Sequence, residues 1–346
     1  MRFAMAGGGT GGHVIPSLAV ARELKQKGHE AFFIGTRKGY EAKLVPEAGF
    51  PIEWIEVGGL MRVGLKQTIS TLLQLPSSVM RSWSLLSGVD GVFSMGGYAA
   101  APVMIAAWLR HIPMIIMEPN AIPGVTNRRL GRLAKWILVN FEETAKYFPK
   151  SKTQITGLPV RAAFFEVPDK PFSGHLTVLV TGGSQGSKQL NRAVEAAWPL
   201  FSEWELIHQT GKPDYEGILA KFRRSTVKGR VLAFIDDMPT AFAQADVVVC
   251  RSGAGTVSEL AAAGKPSILI PFPYAADDHQ MKNAEALKRA GAAVVVRDQE
   301  ISGSRLAREL NKLTPEVLAA MSRKARQLGK PDAARRTVEL LESVCK

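Results

Sequence analysis

Two stretches of the chain place glycines where backbone amides, rather than side chains, can meet an anion. Gly7-x-Gly9-x-x-Gly12 and Gly182-Gly183-Ser184-Gln185-Gly186 each stand between a short apolar run and a helical pattern. Amides at a helix start, with the helix's partial positive charge, bind phosphate or a developing anion. One helix end is worth only about 0.3 to 2 kcal/mol, and a tenfold rate change takes about 1.4 kcal/mol. A demanding reaction therefore needs several such donors, expected to converge between two domains. Either loop alone reads equally as a tight strand-to-helix turn. The first also matches a dinucleotide fingerprint. Its second strand, however, runs into Gly35-Thr36-Arg37-Lys38 instead of an acidic ribose ligand, which leaves an NADP reader as the alternative.

A third junction joins the apolar run Asp246 to Cys250, the loop Arg251-Ser252-Gly253-Ala254-Gly255 and a helix expected from Thr256 through Ala263. Thr256-x-x-Glu259 fits a capping box, in which both residues serve the helix's own first donors. It fits equally a loop whose amides meet a diphosphate while Glu259 takes paired ribose hydroxyls. Beyond the next strand, Pro266 to Pro271, a polar loop runs from Phe272 to Ala284. Gln280 and Asn283 there offer both donors and acceptors to a hydroxyl-rich ligand, with a solvated loop as the competing reading.

These junctions require parallel sheets. Phe3 to Ala6, the glycine loop, a helix carrying Ile15, Leu18, Ala19 and Leu24, and the strand Ala31 to Ile34 make a βαβ unit. Leu176 to Val180 opens a second unit of the same design, and Gly8 to Gly182 is an offset of 174 residues in a chain of 346. The fold class predicted is α/β, with two Rossmann-like parallel-sheet domains facing across a cleft. Residues 1–160 form the first and 161–330 the second. Residues 331–346 form a closing helix, Asp332 to Val344, able to pack on either domain.

Composition narrows the classes. With 46% hydrophobic residues the chain can bury cores, and wholesale disorder is excluded. Forty-four Lys and Arg against 31 Asp and Glu give +13, so an anionic partner is expected. Nucleic acid is disfavoured because the basic residues are dispersed and no zinc-finger or RNP-type motif occurs. Cys250 and Cys345 are the two cysteines, which excludes a disulfide framework or a multi-cysteine metal site. The apolar run near the N-terminus is too short for an export signal. The longest apolar stretch, Tyr98 to Leu109, falls short of a membrane span. Membrane contact is therefore expected to be peripheral.

Together, these motifs resemble the two-domain (GT-B) nucleotide-sugar glycosyltransferases. Within them the match is to the peptidoglycan N-acetylglucosaminyltransferase family. The resemblance spans nearly the whole chain and rests on Gly8-Gly9-Thr10-Gly11-Gly12-His13, Met95-Gly96-Gly97-Tyr98, Gly157-Leu158-Pro159-Val160-Arg161, Gly182 to Gly186, Phe234-Ile235-Asp236-Asp237-Met238, Arg251 to Glu259 and Asp278-His279-Gln280. It implies UDP-N-acetylglucosamine as donor and undecaprenyl-diphospho-N-acetylmuramoyl-pentapeptide as acceptor, and no cofactor. By the same resemblance Ile235 lies at the uracil, Ser184 with Ala254, Gly255, Thr256, Val257 and Ser258 at the diphosphate, Glu259 at the ribose and Gln280 at the sugar hydroxyls. Asn120 and Arg161 match donor-site positions, and Thr10, Gly11, Gly12 and His13 line the cleft from the acceptor side, with Gly96, Gly97 and Tyr98. The family usually has Glu-Gln-Asn where this chain has Glu118-Pro119-Asn120, and Pro119 removes an amide side chain and a backbone donor.

The implied reaction is attack of a muramoyl C4 hydroxyl on the anomeric carbon with inversion. Such a hydroxyl needs a base on one side and anion stabilisation on the other. His13 is the candidate base, since imidazole with a pKa near 6.5 is largely neutral at cytoplasmic pH. Glu118 is the alternative proton acceptor. No Asp-x-Asp occurs, so the expectation is chemistry without a metal. An epimerase or a transferase to a soluble acceptor would share these features. For docking at an anionic membrane on its cytoplasmic face, Leu65, Ile69, Leu72 and Leu73 share one helical face before Pro76, and Val79, Met80, Trp83 and Leu86 another, with Arg62, Lys66 and Arg81 close by. A buried core helix is the competing explanation of most of these.

Overall fold

A computed structural model describes residues 1–57, 65–172, 174–200 and 204–345, without the side chains of 65–73 and 276. The chain divides into two compact units, Met1–Arg161 with the segment from Lys330, and Ala162–Gly329.

In the first unit β1 (Arg2–Gly7), α1 (Gly11–Gln26), β2 (Glu30–Gly35), α2 (Glu41–Glu47) and β3 (Ile52–Trp54) are followed by α3 (Leu65–Leu85), β4 (Gly91–Gly96), α4 (Ala100–Leu109), β5 (Met114–Glu118), α5 (Val125–Leu130), β6 (Trp136–Val139) and β7 (Thr153–Ile155). All seven strands run parallel in the order β3-β2-β1-β4-β5-β6-β7. The central strands are near-continuous apolar runs because helices cover both faces. Ala4, Ala6, Phe32, Ile34, Val92 and Ile116 pack under Val103, Met104 and Ala107 of α4.

The second unit holds β8 (Leu176–Thr181), α6 (Lys188–Ala197), β9 (Trp204–Gln209), α7 (Tyr215–Phe222), β10 (Lys228–Leu232), α8 (Met238–Gln244), β11 (Val247–Cys250), α9 (Ala254–Ala263), β12 (Ser267–Leu269), α10 (His279–Arg289), β13 (Ala293–Val295), α11 (Gly303–Asn311) and α12 (Pro315–Leu328). Its six parallel strands run β10-β9-β8-β11-β12-β13. The last helix, α13 (Ala333–Val344), returns to the first unit and packs on α1. Glu342 of α13 meets Lys27 Nζ at 3.1 Å and His29 Nε2 at 2.8 Å. In each sheet the strand order reverses direction beside the first strand, at β1/β4 and at β8/β11. That is where ligands of open α/β sheets bind.

The two stripes before and after Pro76 lie on one helix, since α3 runs through that exposed proline. One local expectation changes. The helix after β11 starts at Ala254, because Gly253 takes extended φ/ψ of −61° and 149° and becomes the N-cap. Thr256 and Glu259 then sit inside the helix, too late for a capping box.

Candidate functional site

At the end of β1, Thr10 is the exposed N-cap of α1 and makes no side-chain cap bond, with Gly11 and Gly12 the first two helical residues. His13 follows in the first turn. Its Nδ1 lies 3.2 Å from Gly8 O. A carbonyl oxygen only accepts, so Nδ1 carries the hydrogen and Nε2 is the nitrogen able to take a proton. Parallel pairing of β1 with β4 sets Gly7 opposite Gly96 and brings the turn Gly96-Gly97-Tyr98 to the same place. Gly97, at φ +81°, lets the imidazole approach: a Cβ there would sit 3.2 Å from His13 Nδ1. The Tyr98 ring lies against Gly9.

Beneath this loop is a residue that the sequence analysis did not single out. Glu41, at the start of α2, is fully buried. Its Oε2 accepts from Gly9 N at 2.7 Å, and its Oε1 accepts from Thr36 N at 3.0 Å and Thr36 Oγ1 at 2.9 Å. A Cβ on Gly8 would come within 2.2 Å of this carboxylate, and one on Gly39 within 1.9 Å. An acid thus stands six residues past the end of β2, folded back under the loop rather than offered to a ribose. Gly35 and Gly39 make room for it, a closeness that only the folded chain shows.

Glu118 ends β5 and is 1% exposed. Its Oε1 accepts from Asn120 N at 3.0 Å and Asn120 Nδ2 at 3.4 Å; its Oε2 accepts from Gly124 N at 3.0 Å and Asn127 Nδ2 at 2.9 Å. Burial pushes the carboxyl up to about 7 against the pull of those donors. Because these donors come from residues 120, 124 and 127, the amide lost at Pro119 is not missed. Pro119 O in turn accepts from Asn140 Nδ2 at 3.1 Å, and Asn140 Oδ1 takes the Leu158 amide at 2.9 Å, tying the Gly157-Leu158-Pro159 turn to this loop. Arg161 is the last residue of the first unit.

In the second unit, exposed Ser184 stands on the loop between β8 and α6, and Ser187 caps α6 by accepting from Leu190 N. At the neighbouring junction α9 begins at Ala254 and Gly255, followed by Thr256, Val257, Ser258 and Glu259. Its N-cap, Gly253, supplies no side-chain acceptor. The first amides of a helix have no partner within it, so this end presents donors outward. Buried Gln209 and part-buried Arg251 join the parts. Gln209, at the end of β9, donates through Nε2 to Thr181 Oγ1 at 3.1 Å and Gly183 O at 2.9 Å, and accepts from Ile235 N at 2.9 Å. Arg251 donates to Ser187 Oγ at 2.6 Å and Ile270 O at 3.1 Å and pairs with Asp298 at 2.6 Å. Gln209 was not named from sequence, and Arg251 was named only as part of its loop. Gln280, in the first turn of α10, accepts from Phe272 N through Oε1 at 3.0 Å, while its carbonyl accepts from Ser252 Oγ at 2.8 Å. Preceding it, Asp277 and Asp278 both adopt left-handed conformations, at φ +50° and +53°.

The stripes expected to dock divide. Arg62 and the side chains of Leu65, Lys66, Ile69, Leu72 and Leu73 lie outside the described residues. Leu86 is buried and Val79 packs on the core, whereas Met80 and Trp83 are 73% and 43% exposed. Trp108 and Leu109 at the end of α4 are also exposed, and the Arg110 guanidinium lies 5.1 Å from the Trp83 ring centre. Among the described residues no helix is long and apolar enough to cross a membrane.

Residues 3–139 match the glycosyltransferase family 28 N-terminal domain and residues 177–337 the glycosyltransferase family 28 C-terminal domain. The chain is 53% identical, over 99% of its length and 96% of the relative's, to the UDP-N-acetylglucosamine–N-acetylmuramyl-(pentapeptide) pyrophosphoryl-undecaprenol N-acetylglucosamine transferase of Solibacter usitatus. It is 41% identical to the protein of that name from Myxococcus xanthus, over 98% of this chain and 92% of the other. A crystal structure of Acinetobacter baumannii MurG superposes with a TM-score of 0.83 at 34% identity, covering 99% of both chains. The fold is thus GT-B, and the chain belongs to glycosyltransferase family 28, among the MurG N-acetylglucosamine transferases.

Proposed function

We propose that this chain transfers N-acetylglucosamine from UDP-N-acetylglucosamine to the C4 hydroxyl of undecaprenyl-diphospho-N-acetylmuramoyl-pentapeptide, inverting the anomeric carbon, in peptidoglycan assembly. The observation that carries the reading is the likeness of 53% over 99% of the chain to a transferase named for that reaction.

The first unit serves the acceptor. His13 Nε2 takes the hydroxyl proton as the C4 oxygen attacks, help worth about 10² to 10⁴ in rate. Thr10, Gly11, Gly12 and the turn Gly96-Gly97-Tyr98 shape its surroundings. Glu118 acts differently from a reacting base: with both oxygens engaged inside the fold, it positions the loop that carries Asn120. The second unit serves the donor. Ile235 meets the uracil, Glu259 the ribose hydroxyls and Gln280 the sugar, with Asn120 and Arg161 completing the donor contacts. Ser184 and residues 254–258 at the start of α9, through the amides of 254–256, receive the diphosphate, and they stabilise the negative charge that grows as UDP departs. No metal and no cofactor take part in this scheme.

The acceptor's lipid remains in the bilayer, so the enzyme docks peripherally at the cytoplasmic face of the inner membrane. The exposed Met80, Trp83, Trp108 and Leu109 beside Arg81 and Arg110 fit that role. A few basic residues at about 1 kcal/mol each suffice for reversible attachment to anionic lipid. Purified protein given donor and a short-chain lipid acceptor, with and without chelator, tests the whole reading. UDP release that depends on acceptor and ignores chelator supports it; donor turnover without acceptor, or dependence on added metal, overturns it.

A further inference from the structure

The peptide bond between Gly8 and Gly9 is held from both ends. Its carbonyl accepts from His13 Nδ1 at 3.2 Å, and its N–H donates to Glu41 Oε2 at 2.7 Å. In a trans peptide these two groups point in opposite directions, so Glu41 and His13 stand on either side of one polarisable unit. We propose that Glu41 is the positioning residue for His13, acting through the Gly8–Gly9 peptide as a carboxylate–peptide–histidine relay. The inference rests on the assignment of His13 as base.

Two observations and one principle carry it. First, the carboxylate is fully buried and accepts from three donors, so its position is set by the fold rather than by solvent. Second, the approach is built in: a Cβ at Gly8 would lie 2.2 Å from Glu41 Oε1, and one at Gly39 1.9 Å from Oε2, so glycine is what admits the carboxylate to the loop. Third, hydrogen bonds in series strengthen one another. An anion accepting from the Gly9 N–H pushes electron density toward the Gly8 oxygen, which then holds the Nδ1 hydrogen more firmly. The consequences are one fixed tautomer, with Nδ1–H and a proton-accepting Nε2, and a more basic Nε2. Glu41 touches no reacting atom.

The other titratable groups around this pair are Tyr98, whose ring lies on Gly9, and Arg37, Lys38 and Tyr40 on the turn from β2 to α2. Arg37 and Lys38 are exposed, with Arg37 over the Trp54 ring. Farther along α2, Lys43 pairs with Glu47. Arg22, Glu23 and Lys25 lie two or more turns along α1.

The test compares the full-length protein with Glu41→Gln and Thr36→Val. ¹⁵N-resolved NMR of the histidine rings, with the His13 signal assigned by its loss in His13→Asn, reads tautomer and pKa without reference to turnover. In the wild type His13 is expected as the Nδ1–H tautomer. Glu41→Gln should lower its pKa by about half a unit or more, since a nearby opposite charge holds the protonated form up. The acid limb of the kcat profile should move down with it, and kcat should fall about tenfold with the donor KM unchanged. Thr36→Val keeps the charge and should leave that limb in place whatever it does to Tm. An Nε2–H tautomer in the wild type, or an unmoved His13 pKa in a folded Glu41→Gln protein, overturns the relay. If the NMR changes appear while His13→Asn keeps wild-type turnover, the relay stands as structure and the base assignment fails instead.

Discussion

The two glycine loops share a spacing and differ in what lies behind them. Behind the first, a buried carboxylate takes the Gly9 amide and also bonds Thr36. Behind the second, neutral Gln209 bonds Gly183 O, and cationic Arg251 holds the N-cap of the adjoining helix. Two like charges about 8 Å apart repel by about 2 kcal/mol at an effective dielectric near 20. A diphosphate is therefore disfavoured at the first loop and meets no such repulsion at the second, where Asp298 balances Arg251, while a histidine that must gain a proton is helped at the first. Similar glycine patterns thus do different electrostatic work, decided by residues outside each motif.

The largest effect expected is from His13→Ala. It should lower kcat by about 10² to 10⁴ with the donor KM little changed, measured by steady-state kinetics; a raised donor KM instead would erase the division between the loops. Next, Gly8→Ala drives a methyl into the Glu41 carboxylate. A shift of about 1 Å in such a loop costs about 10² in rate, so kcat/KM should fall by that order with a lower Tm. Gln209→Ala strands Thr181, Gly183 and Ile235 partners, and each unsatisfied buried group costs about 1–3 kcal/mol. It should weaken UDP binding about tenfold by calorimetry and leave the pH profile of turnover unmoved. The smallest effect on turnover, seen in stability instead, concerns another buried carboxylate of the first unit. Glu118 is raised from 4.5 to about 7 by burial. A raised acid binds its proton more tightly when folded, so its contribution to stability is full below pH 4.5 and lost as pH rises through 7, up to about 3 kcal/mol in all. Denaturant melts from pH 4.5 to 8 should show that decline, and Glu118→Gln should flatten it.

Much of the fold was legible because apolar runs ending in glycine loops leave few alternatives. The strands around Phe3 to Ala6 and Leu176 to Val180, and the loops after them, occur within a residue or two of their expected bounds. Glu41 was not legible: it stands at a helix start, and only the approach of Gly8, Gly35 and Gly39 in three dimensions buries it. Gln209 was hidden for another reason. It ends a strand whose last four residues are all buried, where polar and apolar positions carry no alternating signal. The capping-box match at Thr256 failed because Gly253 started the helix earlier, a choice made by local backbone freedom. The stripe Val79, Met80, Trp83 and Leu86 split because only one edge of it faces the core beside α4.

A crystal structure with UDP-N-acetylglucosamine bound tests the contrast between the loops most directly. The diphosphate should rest on Ser184 and the start of α9 at 254–258, on the free amides of 254–256, with the Gly9 amide still bonded to Glu41. A diphosphate seated on Gly7 to Gly12, with Glu41 displaced from Gly9, would contradict it.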